Sequence, residues 1–223
     1  MFQAAYQSAW QHPGIAWIAG ALLLAIASRG RRDAWWWAFV VLEVEILLDA
    51  WLTGALAPAI VRDGVRGGGA EVAAIAFVIL GDLRFFYLVE RQRGAEAASA
   101  RATLRALLPA IPVALVVPVA TAVLRARWPQ LRGNALYLVY EAGLLVLAIA
   151  YCAARAPRTR YVGRLLAVEC AQYAGWVAAD ALIVFGAGAG RELGWLLRMV
   201  PNAIYYAAFV PVATWKPPPG SRV

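Results

Sequence analysis

The chain has 223 residues, of which 63% are hydrophobic and only 15% charged, with a mean hydropathy of +0.64. A soluble domain runs nearer half apolar and a quarter charged, so this composition excludes one and points to lipid as the solvent. The net charge of +8 comes from 20 arginines and a single lysine, Lys216; the arginines flank apolar runs, where membrane anchoring accounts for them and nucleic acid is not a partner.

Met1 to Gln11, with Phe2, Tyr6 and Trp10, reads as a short amphipathic lead-in at the interface, and the stretch after it lacks the features of a cleavable signal peptide. Apolar runs bounded by Arg, Gly and Pro clusters then predict spans near 13 to 29, 34 to 60, 70 to 90, 102 to 125, 134 to 155, 161 to 186 and 192 to 215. The fold class expected is therefore all-α: a polytopic membrane protein of seven transmembrane helices forming a single domain over 1–223. On one side the connections carry 13 Lys and Arg, namely Arg29, Arg31, Arg32, Arg91, Arg93, Arg101, Arg105, Arg155, Arg158, Arg160, Arg164, Lys216 and Arg222. The other side has 6: Arg62, Arg66, Arg125, Arg127, Arg132 and Arg191. The excess places the first set in the cytoplasm, the N-terminus outside and the C-terminus inside. The run Trp35, Trp36 and Trp37 beside Arg31 and Arg32 reads as an interfacial belt. Preference for Arg over Lys, with abundant Ala, suggests GC-rich bacterial coding and hence a bacterial cytoplasmic membrane.

The second span holds Glu43, Glu45 and Asp49, with Glu45 and Asp49 four apart on one face. The third holds Asp82 and Arg84, two apart and on different faces, so each needs a partner from another helix; it ends in Glu90-Arg91, a commonplace helix-end pair. The fourth contains Pro109, Pro112 and Pro118 and no ionisable group between Arg105 and Arg125, which makes it a connector. The fifth adds Tyr137 and Glu141. The sixth carries Glu169, Gln172, Tyr173, Trp176 and Asp180 at i, i+3, i+4, i+7 and i+11, a polar and aromatic stripe facing inward. The seventh presents Arg198, Asn202 and Tyr205 at i, i+4 and i+7, with Trp195 a turn earlier. Asp49, Glu141, Asp180 and Arg198 fall toward the outside; Glu43, Glu45, Asp82, Arg84 and Glu169 lie at mid-depth or in the cytoplasmic half.

Ala19 to Ala27 matches Ala142 to Ala150 at seven of nine positions. Val44-Glu45 and Val168-Glu169 correspond in the second and sixth spans, and Leu83-Arg84 and Leu197-Arg198 in the third and seventh. The pattern suggests two parallel three-helix units, 13–93 and 134–216, joined by the helix at 102–125.

A charge near the bilayer centre costs roughly 3 kcal/mol on insertion scales, so each intramembrane ionisable group is a candidate functional residue. Seven acids stand against two arginines, an excess that invites protons or cations, while pairing with Arg84 and Arg198 would make some of the charges structural bridges. The single histidine, His12, excludes multi-histidine zinc, di-iron and bis-histidine haem sites, so no metal and no cofactor is expected. Lys216 lies at the end of the last span, before three prolines, rather than within the bundle where a retinal Schiff base needs it. The two cysteines, Cys152 and Cys170, fall at cytoplasmic ends, where packing is their expected role.

The plan of two three-helix units around a connector resembles the SWEET and PQ-loop transporters, vitamin-uptake transporters of the nicotinamide riboside type, and microbial rhodopsins. The likeness is architectural and implies a seven-helix bundle with a central cavity. Pro129-Gln130 forms a PQ dipeptide without a counterpart before the first span and carries no argument. Leu42-Glu43-Val44-Glu45 with Thr53-Gly54, and Glu169 with Val184-Phe185-Gly186, look like the acid-bearing spans of membrane lycopene cyclases, which implies buried carboxyls acting as general acids; the adjacent acid pair of that family is missing here.

Three readings stay open. The first is a carrier or channel for a small polar solute, cation or proton, with Glu45, Asp49, Asp82, Glu141, Glu169 and Asp180 binding the cation or proton. In it Arg84 and Arg198 set the field, and Tyr173, Trp176 and Asn202 shape the site. The second is a membrane-embedded lipid or isoprenoid enzyme using Glu45 or Glu169. The third is a sensor or accessory subunit of a membrane complex. The partners expected are the bilayer, the solute, and a second copy or a larger complex.

Overall fold

The computed structural model describes residues 1–6, 20–21, 44, 69–93 and 99–214. Apart from residues 20–21 and 44, the first two predicted spans, with Glu43, Glu45, Asp49 and Trp35 to Trp37, lie outside the described residues, as does Lys216.

Local chemistry sets where the described helices begin. Ser99 accepts from the backbone N–H of Ala102 at 3.1 Å and Thr159 from that of Val162 at 3.2 Å, each N-cap satisfying one of the donors a helix start leaves open. Gly133 and Gly188 sit at the other two starts with φ of 58° and 52°, in the left-handed region that favours glycine. The elements that follow are α1 (Phe2–Tyr6), α2 (Gly69–Arg91), α3 (Ala100–Arg127), α4 (Asn134–Arg155), α5 (Arg160–Phe185) and α6 (Ala189–Ala203), then a π-helical turn (Ile204–Ala208) and α7 (Phe209–Thr214). The described residues are helical with no strand.

Among the described residues, three helices are long and apolar enough to cross a membrane: α3, α4 and α5, with 28, 22 and 26 residues. At 1.5 Å per residue even α4 reaches about 33 Å, against a hydrocarbon thickness of about 30 Å. On α3 the buried positions are Ala102, Ala106, Ala110, Ala114, Val117 and Thr121, a small-residue stripe at four-residue spacing that lets neighbouring helices approach closely. Its other face exposes Leu104, Leu108, Ile111, Leu115, Val119 and Val123. Such an outward apolar face is the pattern of a helix solvated by lipid.

Glycines set two more close approaches. A Cβ at Gly143 of α4 would sit 3.0 Å from Val117 Cγ1 of α3, and one at Gly194 of α6 would sit 2.8 Å from the Ala179 carbonyl of α5. The central core comprises Phe85, Phe86, Leu88, Leu144, Leu165 and Phe209, with the Phe86 ring 5.3 Å from that of Tyr151 in an edge-on pair.

The seventh predicted span is helical from Ala189 but not uniformly α. Pro201 carries no N–H to continue the ladder, and three residues later the chain adopts a π turn in which the Phe209 N–H bonds back to the Ile204 carbonyl. The lead-in also differs from a helix lying on the interface. Tyr6 turns into the end of the bundle, its ring 5.3 Å from Trp195, and the Phe2 N–H reaches Glu192 at 2.6 Å.

Candidate functional site

Polar side chains inside an apolar bundle must find partners within it, because an unpaired polar group loses its water without compensation. The helices bring the buried polar residues together at three levels.

The level near the α4 and α6 starts is organised by Arg198 of α6. Its Nη1 bonds Asp180 of α5 and its Nη2 reaches Glu141 of α4 at 3.3 Å, so one guanidinium holds carboxylates from two other helices. Asn134 Nδ2 donates to Asp180 at 2.8 Å, and Arg198 Nε donates to the Tyr6 hydroxyl at 2.9 Å. The guanidinium also lies 5.3 Å from the ring of Tyr137. Asp180 is 0% exposed, yet Asp180 Oδ2 and Glu141 Oε2 are buried without a hydrogen-bond partner among the described residues. Asn202 links this level to the next: its Oδ1 accepts from Trp176 Nε1 at 2.8 Å and its Nδ2 donates to Tyr6 at 3.3 Å.

Asp82 of α2 sits at the middle level. Tyr140 of α4 donates to one of its carboxylate oxygens and Tyr173 of α5 to the other, so three helices meet on one carboxylate. Arg84 points elsewhere, as residues two apart on a helix must. Its Nη2 donates to the Tyr205 carbonyl at 3.2 Å, and its guanidinium carbon lies 3.7 Å from the centre of the Phe209 ring and 4.9 Å from that of Tyr205. The π turn matters here, because widening the turn offers a main-chain acceptor inside a helix. Gly81 makes room for the Tyr205 ring, which occupies the space a Cβ would fill.

Glu169 of α5 is 4% exposed and lies within the electrostatic reach of both Arg84 and Asp82. Among the described residues no donor bonds it. One turn away Gln172 is 1% exposed, with its Oε1 unpartnered. Cys152 and Cys170, near Glu169, are free thiols.

At the far end Glu90 accepts from Tyr151 and pairs with Arg93 at 3.0 Å, while Tyr161 donates to the Ala213 carbonyl at 2.9 Å. This level is ion-paired and partly exposed, as befits a bundle end.

Of the residues singled out from sequence, the structure thus groups Glu141, Asp180, Arg198 and Asn202 at one level and Asp82, Arg84, Glu169, Tyr173 and Trp176 around the next. Glu45 and Asp49 lie outside the described residues. Sequence reasoning did not select Tyr140, Asn134 or Tyr6. Tyr140 was open to detection, since it lies three residues after Tyr137 on the helix that carries Glu141; Asn134 and Tyr6 belong to a helix start and a short lead-in, where helical periodicity carries no signal. Among the described residues five buried carboxylates (Asp82, Glu90, Glu141, Glu169 and Asp180) face three buried guanidinium groups (Arg84, Arg91 and Arg198). The arrangement can hold protons or a small cation, with tyrosine hydroxyls and amides between the acids. No protein family, curated protein or solved structure matches the chain.

Proposed function

We propose that the protein is a membrane carrier or channel that moves a proton, a cation or a small polar solute through an acid-lined column inside its helical bundle. The observation that carries this reading is Glu169: a carboxyl in the core of a lipid-solvated bundle, beside Asp82 and Arg84, with no hydrogen-bond donor among the described residues. A structural bridge gives its acid donors, as Arg198 and Asn134 do for Asp180 Oδ1. A buried acid without donors has its charge to satisfy by taking a proton or a cation. The acids stand at successive depths on α2, α4 and α5, with Tyr140, Tyr173, Trp176 and Asn202 between them as groups able to relay or orient.

In this reading the chain crosses the membrane seven times, with its N-terminus outside and its C-terminus in the cytoplasm of a bacterial cell, and Glu45 and Asp49 of the second span belong to the same column. The units 13–93 and 134–216 are its two halves.

The test is flux in proteoliposomes under imposed pH and potential gradients, comparing the parent with Glu169→Gln and Glu45→Gln. Flux in the parent that falls sharply in Glu169→Gln, with the helical signal intact, supports the reading. No flux of protons or monovalent cations in the parent under any gradient overturns it for those ions and leaves neutral polar solutes to be assayed in the same vesicles.

A further inference from the structure

A second site opens on the outside of the bundle, backed by Tyr137 and Tyr140, the tyrosines that reach Arg198 and Asp82 on its inner side. Where α3 runs beside α4, a groove of about 530 Å³ opens, walled by Pro118, Ala122 and Ala126 on one side and Leu136 on the other. Its origin is local. Positions 118, 122 and 126 follow at four-residue spacing on one face of α3 and carry side chains too short to fill the space to α4. The neighbouring outer surface of α3, with Leu115, Val119 and Val123 exposed, is apolar, so the groove opens onto the hydrocarbon.

Its mouth has a different chemistry. Arg125 lines the groove, and Arg127 and Arg132 follow, both exposed and neither making a hydrogen bond or ion pair among the described residues. Trp128 between them is 48% exposed, at a helix end where an amphipathic ring marks the headgroup level. Deeper in the groove, the hydroxyls of Thr121 and Tyr137 offer hydrogen bonds, beside Tyr140, whose hydroxyl donates to Asp82. An apolar trough with hydroxyls part-way up and arginines at the headgroup level matches the layout of a phospholipid: acyl chain, ester carbonyls and anionic phosphate, in that order.

We infer that the α3–α4 groove is a binding site for an anionic phospholipid of the surrounding bilayer, seated with one acyl chain against Pro118 and Ala122 and its phosphate at Arg125, with Arg127 and Arg132 adding positive charge at the same end of the bundle. Charge complementarity selects this occupant over a zwitterionic lipid, because Arg125 lines the groove and Arg127 and Arg132 follow at the same end of the bundle, with no acidic residue among the described residues that line it. The site is independent of the transport reading and stands or falls separately.

Native mass spectrometry of the full chain in detergent, titrated with palmitoyl-oleoyl phosphatidylglycerol or with the phosphatidylcholine of the same chains, tests it. The parent should bind phosphatidylglycerol preferentially, and Arg127→Gln with Arg132→Gln should weaken that binding about fivefold per arginine while leaving phosphatidylcholine unchanged. Ala122→Trp, an exposed position whose new ring fills the trough, should remove the bound lipid; Ala126→Leu is the milder version should the tryptophan disturb folding. Equal uptake of the two lipids by the parent, an undiminished preference in the double arginine variant, or parent-like binding by both groove-filling variants would overturn the assignment.

Discussion

Arg198 of α6 lies between Asp180 of α5 and Glu141 of α4, so one guanidinium ties three consecutive helices together. Removing the cation strands two buried carboxylates. Arg198→Met should therefore destabilise the protein by about 3–5 kcal/mol, the range for breaking a buried ion pair from one side. Adding Asp180→Asn and Glu141→Gln should return most of that loss, which unfolding titrations in mixed micelles will read directly.

Glu169 behaves differently because among the described residues it has no hydrogen-bond donor to lose. Glu169→Gln removes a charge from a buried position beside Asp82, and stability should hold or rise by up to about 1 kcal/mol while flux falls. A loss of stability comparable to that of Arg198→Met would identify Glu169 as a bridge and remove the main support for transport.

The two hydroxyls on Asp82 form a third test. Tyr140→Phe and Tyr173→Phe should each cost about 1–3 kcal/mol, since each takes a donor from a buried carboxylate. In an Asp82→Asn background the same changes should cost less. A double-mutant cycle that shows no coupling between Asp82 and either tyrosine would contradict the geometry.

Glycine substitutions check the packing independently of any polar group. Gly194→Ala puts a methyl 2.8 Å from the Ala179 carbonyl and should destabilise, because backbone cannot move aside cheaply. Gly163→Ala meets nothing within 4 Å and should stabilise α5 by about 0.5–1 kcal/mol through helix propensity alone. Thermal melts of the two variants should move in opposite directions.

Much of this arrangement was legible in the sequence, for a specific reason. In lipid, hydropathy marks where a helix begins and ends, so α2 to α5 fall within about two residues of their expected bounds, as helix-end assignments allow. Depth along those helices then sorts Glu141, Asp180 and Arg198 from Asp82, Arg84 and Glu169 before any packing is known. Periodicity alone could not say which of Tyr140, Tyr173 and Tyr205 turns its hydroxyl to an acid, because all three lie on inward faces. Nor does any pattern announce the π turn at Ile204, where Pro201 is visible in the sequence but the residue that absorbs its disturbance is not.

That turn has an evolutionary consequence. Arg84 donates there to a peptide carbonyl, which every amino acid at position 205 supplies, so that hydrogen bond survives substitutions that would remove the ring contact of Tyr205. An insertion or deletion between Ile204 and Ala208 would displace that carbonyl. Related chains should preserve the spacing of this segment more strictly than its letters, and a one-residue gap there would signal a protein whose Arg84 has found another hold.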